Sequence, residues 1–142
     1  METEGVFAPE TAAAARRRYE TLETAAQGVV REATRAMSFD TAEYDERVTP
    51  DVIESARQAL FAALLEVRVG SRGEFDSWQA DVDAEVVELG HEAVDNAVWH
   101  APPFADTVVV ATFQNERTAA VDTLRRQAFG RLYADLLGAD GS

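Results

Sequence analysis

Apolar residues recur at Ala15, Tyr19, Leu22, Ala26, Val29, Val30, Ala33 and Met37, which is helical spacing. Gly5-Val6-Phe7 ahead of it reads as a short strand, closed by Pro9 at a helix start. Thr24-x-x-Gln27 has capping-box form and divides the segment into two helices near Glu23. The Arg16-Arg17-Arg18 run falls on the exposed side, with Glu20 one turn from Arg16. Two helix starts follow. Asp40-x-x-Glu43 is a capping pattern flanked by Phe39 and Tyr44 as a hydrophobic staple, and Thr49 precedes Pro50 at a first helical position. Val52, Ile53, Ala56, Ala59, Leu60, Ala63 and Leu64 then form one apolar face.

From Leu65 the period changes. Leu65, Val67 and Val69 alternate with Glu66 and Arg68, as in a half-buried strand. Ser71-x-x-Glu74 caps a short helix carrying Phe75 and Trp78. Three β-like stretches come next, from Glu85 to Leu89, Ala97 to Ala101 and Thr107 to Phe113. Pro102-Pro103-Phe104-Ala105-Asp106 joins the last two at hairpin length and predicts an antiparallel meander. Asn115 reads as the cap of a final helix running to about Leu137, with Gly138 as its stop. Helices first and strands later give an α+β class: N-terminal helices on a small, mainly antiparallel sheet, ending in a long C-terminal helix. Residues 1–137 are read as one domain and 138–142 as a flexible tail.

Charge changes the picture more than length does. Thirteen basic residues face 26 acidic ones, a formal net charge of -13, and every basic residue is arginine. Self-repulsion of that size destabilises a compact chain in dilute buffer. In molar salt the Debye length falls to about 3 Å and most of it is screened. The balance fits a halophilic protein of a salt-filled cytoplasm, while a GC-rich genome that displaces lysine codons gives a similar bias. No apolar run reaches the length of a membrane span, and the N-terminus has no basic, hydrophobic leader pattern. The expected location is cytoplasmic.

Composition also removes chemistry. Without cysteine there is no disulfide, thiolate nucleophile or cysteine–zinc site. Without lysine there is no P-loop, Schiff base or kinase-type lysine. His91 and His100 are the two histidines. With Asp95 they would make a two-histidine, one-carboxylate set, but no spacing such as HExxH demands a metal, and none is expected. The weak catalytic candidates are His100 as a general base with Asp95 or Asp106 nearby; a packed histidine at a strand end is the competing reading. Strand alternation puts His100 on the face of Val98, with Trp99 opposite. Asp81-x-Asp83-x-Glu85 lacks the spacing of a calcium loop. Gly70-Ser71-Arg72-Gly73 opens a helix in a geometry that can hold an anion.

Arg125 lies among Val121, Ala128, Phe129 and Leu132 on the apolar side of the last helix. It calls for a partner, Asp122 or another carboxylate, or else for an anionic ligand. Arg117, Arg125, Arg126 and Arg131 outnumber Glu116, Asp122 and Asp135 there, so this helix is the least acidic part of the chain. Arg125, Arg126 and Arg131 are the binding candidates, for an acidic partner or a phosphate backbone.

Trp99-His100-Ala101-Pro102-Pro103-Phe104-Ala105, Ala111-Thr112-Phe113-Gln114-Asn115-Glu116-Arg117 and Thr123-Leu124-Arg125-Arg126-Gln127-Ala128-Phe129-Gly130-Arg131 are similar to a family of small, acidic haloarchaeal proteins of unknown function. Gly5-Val6-Phe7-Ala8-Pro9-Glu10-Thr11 fits it too. The resemblance covers most of the chain and implies no activity, cofactor or site residue. The expected function is a non-enzymatic protein-binding or regulatory module, partnered by another protein or by itself, without cofactor or membrane. A small acid–base or hydrolytic enzyme using His100 is the alternative. An anion or nucleic-acid binder is third, because affinity for a phosphate backbone falls steeply with salt.

Overall fold

The computed structural model describes residues 1–90 and 94–138. Strand β1 (Glu2–Glu4) leads into helices α1 (Ala12–Ala36), α2 (Thr41–Arg47) and α3 (Pro50–Leu64). Strand β2 (Val67–Ser71), helix α4 (Arg72–Ala80) and strands β3 (Glu85–Leu89), β4 (Asn96–His100) and β5 (Thr107–Phe113) follow. The C-terminal helix is α5 (Arg117–Ala128), a π-turn over Phe129–Tyr133 and α6 (Ala134–Leu137). The fold is α+β, with one five-stranded sheet in the order β1-β2-β4-β5-β3. No helix among the described residues is long and apolar enough to cross a membrane.

Several boundaries follow from local chemistry. Asp40 accepts from the Glu43 amide at 2.8 Å. Ser71 and Glu74 form a complete capping box, and Gly138 ends the chain's last helix at φ 67. Residues 139–142 of the expected tail lie outside the described residues. Other expectations are corrected. The first helix is unbroken, because Leu22, Ala26 and Val30 continue its inward stripe past the Thr24-x-x-Gln27 signal and packing outweighs a local cap. It starts after Thr11, whose hydroxyl accepts from the Ala14 amide at 3.0 Å, and not at Pro9. The regular first strand is Glu2–Glu4, and Phe7 makes only a single bridge to Leu65. Gly5 separates the two at φ +88, where a Cβ would sit 2.4 Å from the Leu65 carbonyl oxygen. The last helix is capped by Glu116 without a side-chain bond, not by Asn115. Arg117, at its first position, is held by Glu2 and Glu4 at 2.6 and 2.8 Å.

The meander is the larger correction. β4 and β5 pair antiparallel as expected, but β3 pairs with β5 in parallel and not with β4. β2 and β3 both run parallel to β5, and α4 supplies the crossover connection that parallel strands need. The β4–β5 hairpin then fills the gap between β2 and β3, leaving β3 at the far edge.

Alternation along the sheet separates two cores. Val67, Val69, Val98, Val109 and Ala111 face the helical layer built from α1, α3 and the C-terminal helix. Phe61 is its centre, with Phe7, Tyr19, Phe129 and Tyr133 edge-on around it at 5.1–5.7 Å. Ala97, Trp99, Val108 and Val110 face the other way and are covered by Phe75 of α4, with Trp78 packed beside it. The Trp99 indole nitrogen is buried without a hydrogen-bond partner.

Candidate functional site

His100 ends β4 on the helical side, on the face of Val98, and is completely buried. Its Nδ1 lies 2.6 Å from the Glu66 carbonyl oxygen and its Nε2 2.8 Å from the Tyr133 hydroxyl. A carbonyl can only accept, so Nδ1 carries the proton, and Nε2 accepts from Tyr133. Burial pushes the imidazole down to about 4, aided by the nearby Arg125 charge and opposed by the Glu66 bond. Burial also raises the Tyr133 phenol above its ordinary value. Both ring nitrogens are therefore engaged, and the ring is neutral near pH 7. Neither Asp95 nor Asp106 bonds to it. Asp95 precedes β4 at the opposite end, exposed, its carbonyl taking the Arg72 amide at 2.7 Å. Asp106 is exposed at φ 49 in the β4–β5 turn, its carbonyl accepting from Glu85. His91 lies outside the described residues, among which no three metal-ligating side chains come together.

Arg125 points inward as its helical position requires, but its partner is a carbonyl. Its Nε donates to Leu65 at 3.0 Å, and one terminal nitrogen lies 2.8 Å from where a Gly5 side chain would begin. No carboxylate among the described residues, Asp122 included, pairs with it. Arg125 thus ties the α3–β2 junction to the C-terminal helix and closes the space beside His100. The tyrosine is delivered by the π-turn: one extra residue in the turn lets Phe129 and Tyr133 both face the core. Arg126 and Arg131 are exposed on the outer face, Arg131 donating to Gln127 at 3.4 Å. The three arginines do not converge on one point.

The helix start at Ser71 holds an anion already, its own Glu74. That carboxylate accepts from the Met1 ammonium at 2.5 Å and from the Ser71 amide at 3.0 Å, and these bonds, the first above all, hold it below the usual carboxylate range. A second cluster was not singled out by the sequence reading. Tyr19 donates to Glu54, and Arg57 reaches Glu54 at 3.3 Å and the Tyr19 carbonyl at 2.8 Å. The Arg57 guanidinium also lies 3.9 Å from the Tyr19 ring centre. The signal was the Glu54-x-x-Arg57 spacing on α3. Hollows of about 480 and 420 Å³ flank this cluster, yet its polar groups are satisfied by one another.

The open feature lies elsewhere. A hollow of about 330 Å³ is formed by Leu89, Ala111 and Phe113 of the sheet and by Ala119, Ala120 and Thr123 of α5. Glu116 stands at its rim, and Arg126 follows Thr123 by one helical turn. Small side chains on α5 leave the space unfilled, and β3, the sheet's last strand, borders it. Its outer edge takes no hydrogen bond from another strand among the described residues.

The profile of a family of unknown function, DUF5809, matches residues 6–134. The chain belongs to that family. The match takes in α1 to α5, the whole of β2 to β5 and the Tyr133–His100 pair. No curated protein and no solved structure matches the chain.

Proposed function

We propose that this DUF5809 chain is a non-enzymatic protein-binding or regulatory module of a saline, haloarchaeal cytoplasm, working through the outer face of α5. The observation that carries the reading is the hollow between Leu89, Phe113 and Ala119, apolar inside, open to solvent and one turn from the exposed Arg126. The histidine that an enzyme would use has neither a free nitrogen nor access to solvent.

The arginines support the saline setting. Arg18, Arg47, Arg57, Arg68 and Arg72 lie 3.9–5.6 Å from the ring centres of Phe7, Phe39, Tyr19, Trp78 and Phe75. Stacking on an aromatic face acts at contact distance and uses the planar guanidinium, which lysine lacks. Long-range charge attraction is what molar salt removes.

Affinity capture from native lysate at molar salt tests the reading, with Arg126→Glu and Ala119→Arg as surface controls. A specific protein retained by the wild type and lost with both variants is the expected result. Equal retention by all three would move the working surface off α5. Melting the protein across a potassium chloride series tests the saline setting: the midpoint should rise with salt, and a flat or falling midpoint would remove it.

A further inference from the structure

We infer that the β3 edge and the α5 hollow together receive an extended, basic-flanked segment of a partner protein, added as a sixth strand beside β3. This rests on the α5 face being the working surface and goes further by naming the partner's shape and charge.

The edge is five residues long, close to the usual strand length of about five to six. Natural edges are blunted by lysine, proline, bulges or very short length. β1, at the opposite edge, has three residues and is pinned by Arg117. β3 contains no proline or basic residue, and its ladder to β5 runs unbroken from Glu85 to Leu89. Of its two acids, Glu88 is turned to the α4 side and paired with Arg72, and Glu85 stands exposed at its first position. An incoming strand would satisfy backbone groups that no other strand among the described residues meets, and its alternate side chains would reach the hollow under Ala119, Ala120 and Thr123.

Charge chooses the occupant. Asp81, Asp83 and Glu85 line the approach to β3, and Glu116 stands at the far rim, all exposed. A second copy of this chain would bring the same acids against them, with -13 on each molecule. A segment with apolar residues alternating along one face and basic residues at its ends complements the hollow and its acidic rim, and an acidic group of the partner outside that segment meets the exposed Arg126. In molar salt this preference acts only at contact distance, which favours flanking residues that touch the rim acids.

The test selects a randomised library of extended peptides, about six residues long to match a strand, on the immobilised protein at molar salt. Enriched sequences should alternate apolar and polar residues between basic ends. The best synthetic peptide should slow hydrogen exchange at the Val86–Leu89 amides. N-methylating its backbone should abolish binding, and Ala119→Arg, which fills the hollow's mouth without touching β3, should weaken it about tenfold or more. Retained binding after N-methylation, unchanged β3 exchange, or enrichment without basic ends overturns the proposal. If binding falls with Arg126→Glu while β3 exchange never changes, the α5 surface stands and strand addition fails. If β3 amides slow with protein concentration alone, the edge is taken by a second copy and the basic partner is ruled out.

Discussion

Around His100, both ring nitrogens are matched by a carbonyl and a hydroxyl, and no solvent reaches them. Around Leu89 and Ala119 the reverse holds: apolar atoms line an open hollow, and the bordering strand ends the sheet. Both regions are built by the C-terminal helix, the first by its inner face and the second by its outer one. The residue type most suggestive of catalysis sits in the closed region, while the open one is made of alanines, a threonine and a strand edge. A shifted histidine is therefore explained by burial first and by the Arg125 charge second, and function is better sought where the fold leaves groups unmatched.

If the closed region is architectural, breaking it should unfold the protein. His100→Ala leaves a cavity and strands the Tyr133 hydroxyl and the Glu66 carbonyl, and the expected loss is about 3–5 kcal/mol. Urea denaturation at molar salt measures it. A loss under about 1 kcal/mol would mean that the pair is not holding the core.

The same pair sets a pH response. The folded imidazole lies at about 4 against an unfolded value of 6.5. Between those values the unfolded chain binds the proton and the folded chain does not, so stability rises with pH across that window. It is complete above 6.5, falls as pH drops through 6.5 towards 4, and is flat below, a difference of about 3 kcal/mol for this one group. Urea midpoints from pH 7 to 4 should show the slope, and a His100→Gln variant should lose this part of it. A slope unchanged in that variant would assign it to the carboxylates.

How much of this could be read from the chain depends on how local its cause is. Asp40 and Ser71 mark helix starts because their partners are three residues away. The inward turn of Arg125 follows from helical spacing, but its carbonyl partner, Leu65, is 60 residues distant and no pattern announces it. The Tyr133–His100 bond depends on a π-turn that shifts the helix register at Phe129, which a strict 3.6-residue period does not anticipate. The hollow was not legible at all. It exists because α4 makes a crossover and puts β3 at the edge, a choice of topology that the apolar residues Val86, Val87 and Leu89 do not encode.

Arg125 belongs to the closed region, beside His100 and bonded to the Leu65 carbonyl, and gives an intermediate effect. Arg125→Met removes a charge-assisted bond to Leu65 while keeping the aliphatic stem, and should cost about 1–2 kcal/mol. Because the Arg125 charge helps hold the imidazole down, His100 should titrate higher in this variant. Proton NMR of the His100 ring reads that shift, and partner capture should stay intact. Lost capture with unchanged stability would instead make Arg125 a ligand-binding residue.

The smallest effect on stability should accompany the largest effect on binding. Ala119 and Arg126 are exposed on α5, and arginine and glutamate are good helix formers. Ala119→Arg and Arg126→Glu should therefore change the urea midpoint by no more than about 0.5 kcal/mol. The two regions then separate cleanly, because variants of His100 move stability and variants of the outer face move capture. If Ala119→Arg destabilised the fold as much as Arg125→Met, the hollow would be part of the packed structure. The contrast between a closed inner face and an open outer one would then fail at that residue.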